Sequence, residues 1–436
     1  MKTDIRKIAL DILSEQEAAG KYVNLALSSH KADRLKPEER AQLTALLYTT
    51  AERKLSYDYY ISAISARESE KIDPHTKNIL RLGICQILDM SSIPDFAAVN
   101  ETVKLARSSG ERSFVNGVLR RIAREKDSLP MPSEEKNYKR YLSVKYSFPL
   151  WIVKALDGLF GREETEKILK FYNEEKYTDL TVNTCKISVE DFVARLRGEG
   201  YEPEVLEGTP SVRLHRSVNP ERLSGFSEGH FFVQDRASLI SAIALGAKEG
   251  ELIADTCACP GGKSFATAVL TKDLADIRSF DLHFAKLSLI TGGAERLGLS
   301  SVKAEQRDAL EPDPTLIGKA DRVICDVPCS GLGVLGKKAD LRYKDPEGVE
   351  ALPELQLNIL TESAKYLRSG GILTYSTCTL LPSENGEVID KFLEANPEFE
   401  PIDFTAAGFA SEGGRLTLVP SRHGCDGFFV ARIRRK

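Results

Sequence analysis

Apolar residues recur every three or four positions through the first part of the chain. The positions with this spacing include Ile5, Ile8, Ile12, Leu43, Leu46, Leu47, Ile79, Leu82 and Ile87. Such a period places apolar side chains on one face of a helix. The prolines here fall between the periodic stretches, at Pro37, Pro74 and Pro94. Residues 1–126 are therefore predicted to form an all-α helical bundle with short connections.

Polar residues and prolines interrupt this pattern at positions 126–133. Two helical stretches follow, roughly Glu134 to Lys145 and Trp151 to Asn173. Pro149 separates them, because the residue before a proline is pushed out of the helical region. Residues 127–177 are therefore predicted to be linker helices.

The pattern changes again in residues 178–230. Leu180 to Thr184 alternates between apolar and polar residues, as a half-buried strand does. Ser188 can cap a helix that runs to Leu196, and Val212 to His215 returns as a strand. These features predict a small α+β module.

Short apolar runs alternate with helical stretches throughout residues 231–436. The candidate strands are Leu252–Ala254, Ile277–Phe280, Val302–Glu305, Arg322–Cys325 and Ile372–Tyr375. The candidate helices between and after them are Lys263–Thr271, Phe284–Leu297, Leu355–Leu367 and Ser383–Ala395. Alternation of this kind predicts a parallel sheet with right-handed crossovers, in a Rossmann-like α/β domain.

Length and composition agree with several folded domains. A chain of 436 residues is too long for one ordinary core. No apolar stretch is long enough to span a bilayer, and the N-terminus lacks the apolar centre of a signal peptide. We therefore expect a cytoplasmic protein without a membrane partner. The 8 cysteines have neither a disulfide framework nor a paired zinc-ligand spacing, so they are expected to be reduced, mostly buried and without a metal.

Charge is concentrated in one segment of the chain, although the net charge is only −4. Between Lys104 and Lys126 there are seven cations and two anions, a local excess of five positive charges. This excess is enough for a surface that contacts phosphates. A solvated helix face would have the same composition, and charge alone does not separate the two interpretations.

The loop after the first candidate strand has features of a nucleotide-cofactor site. Its residues are Cys257, Ala258, Cys259, Pro260, Gly261, Gly262 and Lys263. Two glycines allow close approach of a ligand, and the following helix start offers unpaired N–H groups. Asp281 lies 19 residues after Gly262, near the spacing of a ribose-binding acid. Asp308 and Asp326 also follow strands, which favours an adenosine-bearing cofactor.

Two cysteines follow strands on the other side of the predicted crevice. Cys329 is in Asp-Val-Pro-Cys-Ser-Gly and Cys378 is in Tyr-Ser-Thr-Cys-Thr. The crevice beyond the strand ends is where α/β sheets bind substrates, and a thiolate is a strong nucleophile. Methylation at cytosine carbon 5 requires a nucleophile at carbon 6, and Asp326 could hydrogen-bond the same ring. Small buried hydrophobes are expected at the less distinctive cysteines, Cys85, Cys185, Cys325 and Cys425.

These strings resemble those of the RsmB (Sun/Fmu) group of bacterial 16S ribosomal RNA cytosine-C5 methyltransferases. The resemblance also covers Ala98–Val103 and Phe114–Arg120, which are similar to the group's NusB-type RNA-binding domain, as well as Phe232–Asp235 and Asp426–Ala431. It implies that Cys378 attacks carbon 6 and that Cys329 assists product release. It also implies that the loop from Cys257 to Lys263, with Asp281, Asp308 and Asp326, holds S-adenosyl-L-methionine. Asp326 would also face the base, and Lys263 would contact Asp326 or the base.

Four positions depart from the group's pattern without removing a reacting group. They are Cys259 in place of alanine, Ser264 in place of threonine, Gly293 in place of asparagine and Ala339 in place of proline. The change at Ala339 bears on the loop that follows Cys329. Whether the changes at Cys259 and Ala339 alter activity is not decided by the sequence.

The sequence therefore predicts a 16S ribosomal RNA cytosine-C5 methyltransferase. It would act as a monomer on naked RNA or on a partly assembled small subunit, and its bundle and α+β module would bind the RNA. The alternatives are a methyltransferase for transfer RNA or another ribosomal RNA, and an antitermination-like RNA-binding protein with an inert catalytic domain. A DNA methyltransferase is disfavoured, because those enzymes attack from the Pro-Cys string alone.

Overall fold

The computed structural model describes residues 4–19, 35–174 and 177–436. The chain divides into two compact units. The first, the helical unit, comprises Met1–Leu169 and the short segment Lys338–Tyr343. The second, the catalytic unit, comprises Lys170–Lys337 and Lys344–Lys436.

Helices alone form the regular structure described for the helical unit, which confirms the all-α prediction. They are α1 (Ile5–Ala19), α2 (Pro37–Ser65), α3 (Pro74–Leu88), α4 (Asp95–Val103), α5 (Ser109–Glu125), α6 (Tyr138–Tyr146) and the first part of α7 (Leu150–Glu174). N-cap side chains close three of them: Asp73 accepts a hydrogen bond from the Thr76 amide, Ser108 from the Glu111 amide and Asn137 from the Arg140 amide. Such caps satisfy N–H groups that a helix start leaves unpaired.

The apolar stripes of these helices meet in one core, which includes Leu47, Ile79 and Leu119. Gly83 allows close packing there, because a Cβ atom at this position would lie 2.5 Å from the Leu119 side chain. Helix α7 is interrupted at Gly161, whose φ of 73° is outside the helical region. Helices α6 and α7 correspond to the two predicted helical stretches, although α6 begins at Tyr138 and not at Glu134.

The segment Lys338–Tyr343 contributes a short 3-10 helix, Ala339–Tyr343, to the helical unit. Arg342 is fully buried there. Its guanidinium lies 3.9 Å from the centroid of the Phe148 ring and donates to the Glu52 carbonyl at 3.2 Å. Ala339, the position that departs from the group's proline, is also buried in this segment.

The catalytic unit begins with the predicted α+β module. Strands β1 (Thr178–Val182), β2 (Glu204–Leu206), β3 (Ser211–Leu214) and β4 (Phe231–Val233) form an antiparallel sheet in the order β2-β3-β1-β4. Helix α8 (Val189–Gly198) packs Phe192 and Leu196 against it. Ser188 caps this helix by accepting from the Asp191 amide, as the sequence predicts.

An eight-stranded sheet forms the remainder of this unit, in the order β10-β14-β9-β8-β5-β6-β7, with β13 paired to β14. The strands are β5 (Leu252–Asp255), β6 (Asp276–Asp281), β7 (Val302–Gln306), β8 (Ala320–Asp326), β9 (Leu367–Thr377), β10 (Phe399–Pro401), β13 (Arg415–Leu418) and β14 (Phe428–Arg435). A separate pair, β11 (Thr405–Ala406) and β12 (Phe409–Ala410), lies outside it. The helices are α9 (Arg236–Leu245), α10 (Gly262–Leu270), α11 (Phe284–Leu297), α12 (Pro346–Glu350), α13 (Leu352–Ala364), α14 (Gly386–Ala395) and α15 (Pro420–His423).

The Rossmann-like prediction is confirmed, with one difference. Strands β5 to β9 are parallel, whereas β14 runs antiparallel to β9. The strand order reverses between β5 and β8. Strands β6 and β7 extend the sheet on one side of β5, whereas β8 and β9 extend it on the other side. Such a reversal opens a crevice at the carboxyl ends of the strands.

The four-part division at residues 126, 177 and 230 stays a prediction. Strand β4 pairs with β1 of the small sheet, just beyond the last of these boundaries. In the described ranges, no helix combines the length and the apolar character that crossing a membrane requires.

Candidate active site

The loops that follow β5, β8 and β9 meet at the crevice. In the sheet, Asp255 pairs with Ile324 and Asp326 pairs with Ser376. The ends of the three strands are therefore level, and the loops carrying Cys329 and Cys378 leave the sheet side by side. Parallel pairing brings together residues that are 49 positions apart in the chain.

The sulfur atoms of Cys329 and Cys378 lie 3.2 Å apart, within hydrogen-bonding distance of each other. Both side chains are half-buried. The hydrogen bond to Cys378, burial and the nearby carboxylate of Glu384 hold the pKa of Cys329 well above its usual range. A protonated Cys329 can donate its S–H to the Cys378 sulfur.

Asp326 is held from two directions beside this pair. Its Oδ2 accepts from the Lys263 ammonium at 2.6 Å, and its Oδ1 accepts from the Ser376 hydroxyl at 2.6 Å. Lys263 is 8% exposed and also donates to the Ser238 hydroxyl at 3.1 Å. The expected contact between Lys263 and Asp326 is therefore present, and it fixes the orientation of the carboxylate.

A cavity of about 170 Å³ lies between the glycine loop and Asp326. The residues of the predicted loop that line it are Cys257, Ala258, Cys259, Pro260, Gly262 and Lys263. Gly261 shapes the turn instead: its φ is 108°, and a Cβ atom there would lie 2.4 Å from the Phe265 ring.

The two other predicted cofactor acids differ in their hydrogen bonds to this loop. Asp281 accepts from the Cys259 amide at 3.3 Å and from the His283 amide at 3.0 Å, so it is bonded directly to the loop. Asp308 accepts from the Leu310 amide at 2.9 Å, within its own turn. Neither acid lines the cavity.

Sequence reasoning missed other polar residues of the cavity wall, among them Asp235, Ser238 and Asp255. Burial raises the pKa of Asp255 to about 7, and the Ser264 hydroxyl donates to its carboxylate at 2.6 Å. Asp255 ends β5, so its position beyond a buried strand was a signal that could have identified it. The carboxylates of Asp235 and Asp326 on this wall are bonded to Lys337 and Lys263, respectively.

The remaining cysteines agree only in part with the expectation of burial. Cys85, Cys325 and Cys425 are buried, whereas Cys185 is exposed, so that prediction was wrong. Cys185 lies in the surface turn after β1, where its amide donates to the Asn183 side chain at 3.3 Å. The expectation that most of the eight cysteines are buried was also wrong, because three are buried, four are half-buried and one is exposed. None of the eight forms a disulfide.

The basic segment of the helical unit lies mainly on α5. All seven cations between Lys104 and Lys126 are exposed. Some are neutralised by neighbours: Lys104 pairs with Glu101 at 2.6 Å, and Lys126 pairs with Asp95 at 2.9 Å. Exposure is compatible with a phosphate-contacting surface and with a solvated helix, so both interpretations stay open.

Comparison with known proteins gives matches along most of the chain. Residues 242–434 match the family model of the 16S rRNA methyltransferase RsmB/F, residues 3–124 match the NusB family, and residues 148–220 match the ferredoxin-like domain of RsmF/B-like methyltransferases. The chain is 36% identical to a probable ribosomal RNA small subunit methyltransferase B of Bacillus subtilis, over 100% of this chain and 99% of that protein. It is 32% identical to the protein of the same name from Synechocystis, over 99% of each.

Among solved structures, the crystal structure of PH0851 superposes with a TM-score of 0.80 at 26% identity. The match covers 100% of this chain and 99% of that one. The similarity therefore extends over the helical unit and the catalytic unit alike.

Proposed function

Because the chain belongs to the ribosomal RNA small subunit methyltransferase B family, we propose that it methylates carbon 5 of one cytosine in 16S ribosomal RNA. The methyl donor is S-adenosyl-L-methionine. The observation that carries the proposed chemistry is the 3.2 Å separation of the Cys329 and Cys378 sulfurs beside Asp326. Methylation of an exposed oxygen or nitrogen atom would not require two thiols at that place.

Cys378 is the proposed nucleophile. Its thiolate forms a bond to cytosine carbon 6, and the electron pair displaced from the 5,6 double bond makes carbon 5 nucleophilic. Asp326 would hydrogen-bond the polar edge of the ring, and its contacts with Lys263 and Ser376 hold it in place for this task. After methyl transfer, a water molecule takes the proton of carbon 5, the 5,6 double bond re-forms, and the Cys378 sulfur leaves with its electron pair.

Cys329 is proposed to assist this last stage. Its raised pKa keeps the thiol protonated at neutral pH, so it can donate to the departing sulfur of Cys378. A donor at 3.2 Å stabilises the thiolate that forms when the carbon–sulfur bond breaks. Loss of this donor should therefore slow the release of the Cys378 sulfur from the product more than its attack on carbon 6.

The residues around the cavity fit the donor molecule. S-Adenosyl-L-methionine supplies an electrophilic methyl group on a positively charged sulfonium, and the carboxylates of Asp235 and Asp326 would attract that charge. The loop from Cys257 to Lys263 would approach the ligand through its backbone, and Asp281 would bind the ribose next to Cys259. Asp308, which follows the neighbouring strand β7, would accept a hydrogen bond from the adenine amino group.

The remaining parts of the chain are proposed to bind the RNA. Flipping a cytosine into the crevice leaves the surrounding RNA to be held elsewhere. The exposed cations of residues 104–126 would contact its phosphates from the helical bundle, and the small α+β module would contact it from the catalytic unit. We propose a cytoplasmic monomer that acts on naked RNA or on a partly assembled small subunit.

Bisulfite sequencing of total RNA from cells with and without the gene tests this function. We expect one protected cytosine of 16S ribosomal RNA to become convertible when the gene is deleted, and protection to return with the intact gene. Loss of protection in transfer RNA or in large-subunit RNA instead would support the alternative substrates. An unchanged map would favour an inert catalytic domain and contradict the proposal.

A further inference from the structure

Two consecutive buried residues, Glu384 and Asn385, lie just after the Cys378 loop. They are 0% and 3% exposed, respectively. Glu384 ends the short 3-10 helix Pro382–Glu384, and Asn385 precedes α14. Neither lines the cavity, and the mechanism proposed above involves Glu384 only through its effect on the pKa of Cys329. The hydrogen bonds of their side chains nevertheless all go to residues next to the two cysteines or to Gln356.

Glu384 holds the loop that carries Cys329. Its Oε2 accepts from the Ser330 amide at 2.8 Å and from the Gln356 side-chain amide at 2.9 Å. The same Gln356 nitrogen donates to the Pro328 carbonyl at 3.0 Å. The residues on both sides of Cys329 are therefore tied, directly or through Gln356, to one carboxylate.

Asn385 holds the loop that carries Cys378 in the same way. Its Oδ1 accepts from the Thr377 hydroxyl at 2.5 Å, and its Nδ2 donates to the Thr379 carbonyl at 3.1 Å. The residues on both sides of Cys378 are thus bonded to one amide. The Ser330 hydroxyl donates to the Thr379 hydroxyl at 2.8 Å and joins the two loops.

The energetic cost of this arrangement argues for a purpose other than stability. A carboxyl group that is fully removed from water is expensive unless its hydrogen bonds are complete. Glu384 Oε1 and Gln356 Oε1 have no hydrogen-bond partner among the described residues. An apolar pair would fill the same space at lower cost, so the polar groups are explained better by the backbone positions that they fix.

We propose that Glu384 and Asn385 are positioning residues that hold the sulfurs of Cys329 and Cys378 at bonding distance. Because the two residues are adjacent in the chain, a single short segment fixes both loops relative to each other. The inference rests on the proposed function in one respect, namely that the distance between the sulfurs matters for the transfer of a proton between them. The position of the sulfurs can be measured without RNA or cofactor.

The effective concentration of one thiol at the position of the other is a direct measure of how the two are positioned. The full-length protein is equilibrated with reduced and oxidised glutathione at pH 7, and the Cys329–Cys378 disulfide is quantified by tandem mass spectrometry. We expect Asn385→Ala and Glu384→Ala each to lower the effective concentration about tenfold or more, as for the loss of one or two buried hydrogen bonds. Glu384→Gln keeps an acceptor oxygen and should restore most of it.

Asn183→Ala is a matched control. Asn183 is also fully buried, and its side-chain amide donates to two carbonyl groups, those of Gly229 and Leu297. All three residues lie outside the cysteine loops. This variant should lose comparable folding stability while the thiol equilibrium stays at the wild-type value.

An unchanged thiol equilibrium in both alanine variants would overturn the inference, and so would an equal fall in Asn183→Ala. If Glu384→Ala does not fold, Gln356→Leu replaces it. This change removes only the hydrogen bonds from the Gln356 side chain to the Pro328 carbonyl and to the Glu384 carboxylate. Since no substrate takes part, these outcomes are independent of the bisulfite map. Failure of the proposed function would appear there, and failure of the positioning inference would appear in the thiol equilibrium.

Discussion

The sulfur atoms of Cys378 and Cys329 lie 3.2 Å apart and share a hydrogen bond. This contact exists because β8 and β9 are parallel neighbours in register, with Asp326 opposite Ser376. The first loop leaves its strand three residues before Cys329, and the second leaves β9 one residue before Cys378. Two thiols are therefore presented to the same side of the crevice, next to a carboxylate.

Cys378→Ala is expected to lower methyl transfer about 10³-fold or more, as the loss of a catalytic nucleophile does. Binding of S-adenosyl-L-methionine should persist, because Cys378 does not line the cavity. Radiolabelled methyl incorporation into 16S ribosomal RNA and calorimetric binding measure the two effects. Cys185→Ala, which removes an exposed cysteine, is the control and should keep full activity. Undiminished turnover of Cys378→Ala would exclude it as the nucleophile.

Cys329→Ala is expected to trap the covalent intermediate. Attack by Cys378 can still proceed, but the leaving thiolate lacks the hydrogen-bond donor that lies 3.2 Å away. The adduct should appear as a protein–RNA band that survives denaturing electrophoresis. The double variant Cys329→Ala/Cys378→Ala should show no band, since it has no nucleophile. Absence of a band in the single variant would argue against a release role for Cys329.

Asp281→Ala is expected to weaken cofactor binding. A hydrogen bond to a charged group contributes about 1.5–3 kcal/mol, so affinity should fall by about tenfold to a hundredfold. Asp276→Ala, at the opposite end of the same strand, removes a surface ion pair with Arg278 and is the matched control. Isothermal calorimetry measures both. Equal affinities for the two variants would remove Asp281 from the ribose site.

Asp255→Asn is expected to change how stability depends on pH. Burial raises the pKa of Asp255 to about 7 in the folded protein, against about 3.9 in an unfolded chain. The folded state therefore binds the proton more tightly, and this group's contribution to stability is lost as the pH rises from about 4 through 7.

Between pH 5 and pH 8 the wild-type protein should consequently lose about 2–3 kcal/mol more unfolding free energy than the asparagine variant, at about 1.4 kcal/mol for each pKa unit. Urea titrations at several pH values measure the difference. Parallel profiles for the two proteins would show that Asp255 is ionised throughout this range.

Arg213→Ala is expected to destabilise the catalytic unit by about 3–5 kcal/mol, because it leaves the Asp179 carboxylate buried without its partner. Arg213 binds Asp179 through two hydrogen bonds of 2.7 and 2.8 Å, and Asp179 is 2% exposed. The pair also connects the small sheet to the C-terminal part of the unit, since Arg213 donates to the Gly424 carbonyl at 2.5 Å.

Denaturant unfolding measures this loss. Arg434→Ala, which removes a more exposed pair with Glu400, is the control and should cost less than about 1 kcal/mol. The double variant Arg213→Ala/Asp179→Ala should be more stable than Arg213→Ala alone. Similar losses for Arg213→Ala and Arg434→Ala would contradict this account.

Much of the site could be found from local signals. Cys329, Cys378, Asp326 and the glycine loop follow short apolar strands, and the ends of parallel strands share one edge of a sheet. Asp255 had the same signal and was overlooked. Glu384 and Asn385 had none, because a polar pair before a helix is typical of an ordinary helix start. Only their partners, all of them contributed by the two cysteine loops and by Gln356, reveal a different role.

Cys185 shows the opposite failure. A cysteine in a moderately apolar chain is buried more often than not, but Cys185 stands among the polar residues Asn183, Thr184 and Lys186. It lies in the turn that follows β1. Residue type is a weak guide to burial where the chain leaves a strand.

The order and type of the main elements were determined by the sequence itself, because helical and strand periods are local properties of the chain. Three features were decided only by tertiary structure: the approach of Cys329 to Cys378, the antiparallel placement of β14, and the inclusion of Lys338–Tyr343 in the helical unit. Each depends on pairing or packing between segments that are far apart in sequence. Such contacts are selected by the burial and hydrogen bonding of the whole fold, which no local pattern records.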